Sequence, residues 1–431
     1  MKKSDFIFSI AAIMMSVFCL TSCKEGGVVE PVPEPEPEPE VITFEVTPSV
    51  ESLVFEAARP EVYEFAVETN DSTWEVTSDA EWCVIAQSET GFTVTAEPSV
   101  SLEPMTPGTV TIKSADTTYA TFAVEQNGLQ MWFGGNENGL AVYFHDGEKF
   151  TITEETKDIS DMAVMKDGSI HVVGMLDKVG YYQGGYYWSE ESGVFPLQES
   201  TQAGSASSIA IDENTDDVYF TSYSGGAGSY IAKYWKNLVS NDLTDGTRVA
   251  TAPDIAIYNG DAYTVVQDGE TMSYFRNGEQ FVLDNGGYTV SPSCIYIYDG
   301  SVYVGGQYVN GDIYSPCYWV DGKLNTIPTS VNSQIYSIAV SPNGDIYLGG
   351  SEGPGIDRCA AYYKNGEIVR LTDFNNSVLS RIELIGDHVL AMGTSSSENY
   401  NTFIQVWIDG EPTDITDPNT SSVWGNAFFV R

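Results

Sequence analysis

The sequence predicts an all-β protein: a small β-sandwich, then a seven-bladed β-propeller closed by the C-terminal strand. Three observations carry this. From about residue 42 onward, short runs such as "ITFEV", "YEFAVET" and "GTVTIKS" alternate apolar and polar residues, and no run follows a helical period. An aromatic residue near a tight turn then returns as Phe144, Trp188, Trp235, Phe275, Trp319, Tyr363 and Trp407, at intervals of 44, 47, 40, 44, 44 and 44. Finally, one strand is left over at the C-terminus, "SVWGNAFFV".

The elements follow in order. Residues 1–22 read as a lipoprotein signal peptide: Lys2 and Lys3, an apolar run, then "LTSC". The run is too short to cross a bilayer comfortably, so Cys23 is the expected lipidation site. Residues 23–40 contain "VVEPVPEPEPEPE", in which proline stiffens the chain and like charges repel, and read as a stalk. Residues 41–128 form the sandwich, with Trp74 and Trp82 around Ser78 and a closing strand "FAVEQNG".

Residues 129–431 carry the repeat. Five of its aromatics are followed by x-[DN]-G, as in "YKNG" and "WIDG", and Asn-Gly or Asp-Gly supplies the positive φ of a two-residue hairpin. An upstream strand pair, as in "SIAVSPNGDIYLGG", completes a unit of four strands, A to D, the size of a propeller blade. The first repeat lacks strand A: its "MWFGG" matches the strand B "IYLGG". The leftover C-terminal strand fits that vacancy.

These residues also carry two resemblances. The two tryptophans and the Gln-x-Gly ending resemble the BACON domain of Bacteroidetes surface proteins, with Gly108 standing where an Arg is common. That likeness implies either carbohydrate binding or a spacer. The "YW-x-[DN]-G-[EK]" and "xIAVxxGDxYLGG" phrases resemble β-propeller repeats of Bacteroidetes lipoproteins. That likeness implies a fold and an outer-membrane location facing the cell exterior, and no activity.

Composition narrows the partners. A net charge of −42 excludes nucleic acid and opposes docking on anionic lipid, so membrane attachment is expected through the lipid anchor only. A monomer without cofactor or metal is expected. Cys83, Cys294, Cys317 and Cys359 have no C-x-x-C spacing, and Cys294 and Cys317 fall two strands apart in one blade, so they are expected to be buried and unbridged. His145, His171 and His388 fall in separate blades and cannot converge on a triad. "DENTDD" (212–217) has calcium-like spacing but lacks the glycine and distal glutamate of an EF-hand loop, and reads as an acidic turn.

The B–C loops look longer than closure requires, and surplus loops serve recognition. They hold Tyr181, Tyr182, Tyr186, Tyr223, Tyr230, Tyr308, Tyr314 and Tyr400, the expected ligand-binding residues. At the channel mouth the strand-A positions are Asp161, Ser208, Asp254, Cys294, Ser337 and Arg381. Arg381 with Glu383 reads either as a structural pair or as a ligand clamp. The leading expectation is non-catalytic glycan binding on the B–C face. The alternatives are a scaffold or accessory subunit of an outer-membrane complex, and a glycan lyase or hydrolase. Replacing Cys23 with Ala should release the protein from the membrane fraction or leave its precursor uncleaved; normal processing with unchanged membrane partition would refute the lipid anchor.

Overall fold

The computed structural model describes residues 42–115, 117–176, 184–198, 202–226, 228–373 and 375–431; the signal, Cys23 and the stalk lie outside them. The described residues contain strands and no helix, and Phe44–Arg431 form one compact unit. The fold is all-β, with a small two-sheet sandwich followed by a β-propeller.

In the sandwich, Phe44–Thr47, Tyr63–Thr69, Gly91–Ala96 and Cys83–Gln87 form one sheet, and Ser52–Phe55, Thr117–Gln126, Gly108–Ser114 and Glu75–Ser78 the other. Pairing is antiparallel, as expected, except that Ser52–Phe55 runs parallel to Thr117–Gln126. Trp74 and Trp82 are buried among Leu53, Phe55, Phe65, Phe92, Val110 and Ile112, so both are core residues. Gly108 also has a local reason. A Cβ there would lie 2.4 Å from the Cβ of Ala80, while the next residue, Thr109, donates its N–H to Asp79.

Beyond Gln130 the described residues form seven four-stranded sheets. The first pairs Val423–Val430, Met131–Glu137, Leu140–His145 and Glu148–Thr151 in that spatial order, with Phe428 opposite Phe133. The other six are consecutive in sequence, and their strands A are Thr156–Val164, Ala203–Asp212, Ala250–Tyr258, Val290–Tyr298, Ser333–Val340 and Val378–Ile385. Apolar side chains pack between neighbouring sheets, with Trp319 and Trp407 fully buried. Cys83, Cys294, Cys317 and Cys359 are free and buried.

The recurring Asx-Gly turn does more than supply positive φ, although Asn277-Gly278, Asp321-Gly322, Asn365-Gly366 and Asp409-Gly410 all have it. The backbone N–H of the Asx donates to a strand-B carbonyl, as Asn365 does to Ile346. Its side-chain oxygen accepts the N–H of that same residue at 2.9 Å. Asn237 with Val218, Asn277 with Ala262, Asp321 with Val302 and Asp409 with Val389 repeat this clamp.

The choice between Asn and Asp follows the residue one place earlier on strand B. The amides of Asn237, Asn277 and Asn365 donate to Asp217, Asp261 and Asp345. Asp409 instead meets His388, a group that can donate, and Asp321 lies in the sheet where that place is Ser301. In the Asn type, Lys236, Arg276 or Lys364 pairs with the same aspartate and covers the ring of Tyr219, Tyr263 or Tyr347.

The small sandwich packs against the propeller's A–B hairpin side. Ala57 and Ala58 are buried with Leu129, Phe133, Ile385 and Leu390. Pro98 lies against Gly386 in one A–B turn, Lys166 in another pairs with Glu61, and Arg431 pairs with Glu56 at 2.7 Å. Replacing Asn365 with Asp should set two carboxylates against each other and lower the midpoint of chemical denaturation. Adding Asp345→Ser should recover most of that loss, and an additive double mutant would refute the donor–acceptor rule.

Candidate functional site

The site begins with a backbone irregularity. In the first, second, fifth, sixth and seventh sheets, strand A carries an unpaired residue opposite strand B at the same place: Asn426, Ser160, Ser293, Tyr336 and Ser380; the second sheet has a further one at Lys157. The facing strand-B residue is the second glycine of the "GG" phrase, or the single Gly174 in "VVGML" and Gly393 in "LAMGT". A Cβ on Gly135, Gly174, Gly306, Gly350 or Gly393 would fall within 2.3 Å of a strand-A carbonyl oxygen. Where Thr221-Ser222 and Val265-Val266 replace the glycines, two residues lose pairing instead, Ser207-Ser208 and Ala252-Pro253. A bulge re-aims its extra side chain. Ser160, Ser207, Ser208, Pro253, Ser293, Tyr336, Ser380 and Asn426 accordingly all line one central cavity of about 330 Å³.

Polar side chains in this cavity join neighbouring sheets. Asp161 accepts the N–H of Ile209, Asp254 that of Ile295, and Ser337 that of Ile382. Ser293 donates to the carbonyl of Ile335 and Ser380 to that of Gly425. The hydroxyl of Ser208 lies 2.9 Å from Asp161 and 2.7 Å from Asp254. One hydroxyl carries one proton and can donate to only one of them, so satisfying both contacts requires a proton on a carboxyl. Burial pushes Asp254 up to about 6, against its hydrogen bonds from Ile295 and Ser208. Burial also raises Asp161, opposed by Arg381.

Toward the A–B side the charges alternate. Arg381 lies 3.7 Å from Asp161 and donates to Glu383 at 2.8 Å; Glu383 faces Arg59 of the sandwich at 3.5 Å, and Arg59 reaches Glu213 at 3.9 Å. Burial works against the Glu383 charge, but Arg381 and Arg59 outweigh it and hold the carboxyl below its usual range. The Arg381 guanidinium is engaged on both sides. The Arg381–Glu383 pair expected from the sequence is present.

The expected tyrosines divide. Tyr181 and Tyr182 lie outside the described residues. Tyr186 is not a loop residue: it sits in Gly185–Ser189, fully buried, its hydroxyl donating to the carbonyl of Asp158. Tyr308 is likewise buried, in Ser301–Asn310, against Tyr288. Tyr223 and Tyr230 are half-buried and pack edge to face on paired strands. Two of the long loops are therefore extended hairpins, whose continued alternation turns every second side chain inward. Tyr314 and Tyr400 are exposed, by 52% and 89%.

Sequence reasoning missed Tyr336 and Trp424, each 38% exposed. Both stand in strand A; for Tyr336 other repeats have small residues, and "QIYSIAV" against "SASSIAI" was the signal. The three histidines stay apart: His145 stacks on Trp132, His171 bonds Tyr187 and His388 bonds Asp409. The 212–217 segment is a turn whose Asp212 accepts the N–H of Asn214.

No protein-family profile matches the chain, and no curated protein matches it by sequence. Among solved structures it is similar to a quinonprotein alcohol dehydrogenase-like protein from Bacteroides thetaiotaomicron, at 12% identity and a TM-score of 0.41, over 88% of this chain and 96% of that one. It is similar to the β-propeller domain of the Trilobed protease from Pyrococcus furiosus, at 10% identity and a TM-score of 0.42, over 79% and 99%. A puromycin-hydrolyzing peptidase of Mycobacterium tuberculosis matches at 10% identity and a TM-score of 0.44, over 73% of this chain and about half of that one, 53%. These likenesses concern the fold.

An acid whose carboxyl is raised by folding binds its proton more tightly in the folded state, so its contribution to stability falls as pH rises from about 4 toward 6. Asp254→Asn should flatten the fall in unfolding free energy between pH 4 and 7, part of which Asp158, also raised to about 6 by burial, will retain. An unchanged slope would show that Asp254 is not titrating there.

Proposed function

We propose that this chain is a non-catalytic binding protein of the cell envelope, lipid-anchored at Cys23, that takes glycan on the B–C face of a seven-bladed propeller. On this reading the seven sheets are seven blades of one ring, and Val423–Val430 closes it. The sandwich, BACON-like in sequence, serves as the base. The observation that carries the proposal is the division of faces: the sandwich occupies the A–B side, while Tyr314, Tyr400 and Trp424 stand exposed on the B–C side. Flat rings with polar edges suit sugar faces.

Two further features fit. The cavity wall is rich in uncharged hydroxyls from Ser160, Ser207, Ser293 and Ser380. Its carboxylates are already engaged by backbone N–H groups and by Arg381, which favours binding over acid–base chemistry.

A glycan array probed with the protein tests this, followed by titration of any hit. Stacking on aromatic rings is worth ~1–3 kcal/mol each for nucleic-acid bases. The triple variant Tyr314→Ala, Tyr400→Ala and Trp424→Ala should therefore weaken binding at least tenfold, with Glu367→Ala on a C–D turn as the unaffected control. Binding that survives the triple variant would place the ligand elsewhere. A silent array together with specific capture of an envelope protein would favour the scaffold.

A further inference from the structure

We infer that the mouth of the central cavity beside Tyr336 takes an anionic sugar, one carrying a carboxylate or sulfate on its ring; this deepens the glycan reading and rests on it. The chain carries 61 acidic against 19 basic residues. Arg59, Arg248, Arg276, Arg370, Arg381 and Arg431 each lie within 4.0 Å of a carboxylate. Among the described residues Arg358 is the only arginine in no such pair, although Asp357 precedes it. In a chain so rich in acid, an arginine left without one is set apart from the rest.

Arg358 is also held in place. Its Nε meets the Oδ1 of Asn376 at 3.3 Å, and its carbonyl accepts the N–H of Ser377, so the connection into the next sheet fixes it at both ends. Its Nε is taken by Asn376 and its guanidinium also reaches the Tyr336 hydroxyl, which leaves its remaining N–H groups for an oxyanion. A planar guanidinium edge matches carboxylate or sulfate with two parallel hydrogen bonds. The group is half-buried, where such a bond is stronger than in open water.

The rest of the site surrounds it. Tyr336 lines the cavity, is partly exposed, and sits close enough to Arg358 to feel its charge. The Tyr336 hydroxyl donates to Gln334, whose own exposed side chain lies two residues up the same strand. A ring face, an amide and a guanidinium that no carboxylate neutralises thus converge on one rim. They supply stacking for a pyranose, a hydrogen bond for its hydroxyls and a counter-charge for its anion.

The test uses the full-length protein and three probe sets: uronate oligosaccharides, sulfated oligosaccharides, and the carboxyl-reduced, neutral counterparts of the first. Calorimetry should show at least a tenfold preference for an anionic set over the neutral one. The uronate and sulfate arms identify which anion is taken. Arg358→Gln should remove that preference while leaving neutral binding and the melting temperature unchanged, Arg358→Lys should restore part of it, and Tyr336→Ala should weaken both classes. Lys323→Gln, a surface cation beside a C–D turn, should change nothing. Anionic binding that is indifferent to Arg358→Gln would overturn the inference, as would a protein that takes only neutral glycans, which leaves the glycan-face reading standing. A full-length protein that binds none of the three sets and is silent on a broad array would overturn both.

Discussion

In five of the seven sheets a strand-A carbonyl oxygen presses toward the α-carbon of a strand-B glycine, closer than any side chain would allow. That contact fixes where strand A slips out of register. The slip adds one residue on the inner strand and turns its side chain into the cavity. The inward turn of Ser160, Ser293, Ser380 and Asn426, the inter-sheet hydrogen bonds of Asp161 and Ser337, and the exposed position of Tyr336 follow from it. A Cβ at Gly350 would lie 1.8 Å from the carbonyl oxygen of Gln334, so the strand carrying Gln334 and Tyr336 could not keep its present course.

Much of the fold was legible because it is written in local chemistry that repeats. Asn-Gly and Asp-Gly demand a hairpin wherever they stand, and strand alternation reports burial without any knowledge of neighbours. The pairing of Asn365 with Asp345, and of Asp409 with His388, could have been read too, since the partners keep a spacing of about twenty residues. The parallel pairing of Ser52–Phe55 with Thr117–Gln126 could not, because their separation in sequence leaves no local mark.

The site was less legible. Tyrosines in Gly-rich segments look like loop residues, but Tyr186 and Tyr308 stand on strands that continue past their expected ends, and the pleat turns them inward. Composition cannot separate an inward from an outward position when the register is unknown. Tyr336 was hidden for a different reason. It occupies a bulge, so it breaks the alternation that reports burial. Arg358 becomes notable only once the partners of the other arginines are known.

The sandwich changes how the propeller can act. A propeller with both faces free offers two sites and a passage between them. Here one face carries the sandwich, and the series Asp161, Arg381, Glu383, Arg59 and Glu213 runs from the cavity across to it. Each charge in the series has an opposite neighbour, so the desolvation that burial imposes is offset locally and little charge remains to attract a ligand from that side. The B–C rim is the reverse: Tyr314, Tyr400 and Trp424 stand exposed there, and among the described residues Arg358 has no carboxylate within 4.0 Å. A binding surface must keep groups unsatisfied that the fold could otherwise have used, and in this molecule those groups collect on the face the sandwich leaves open.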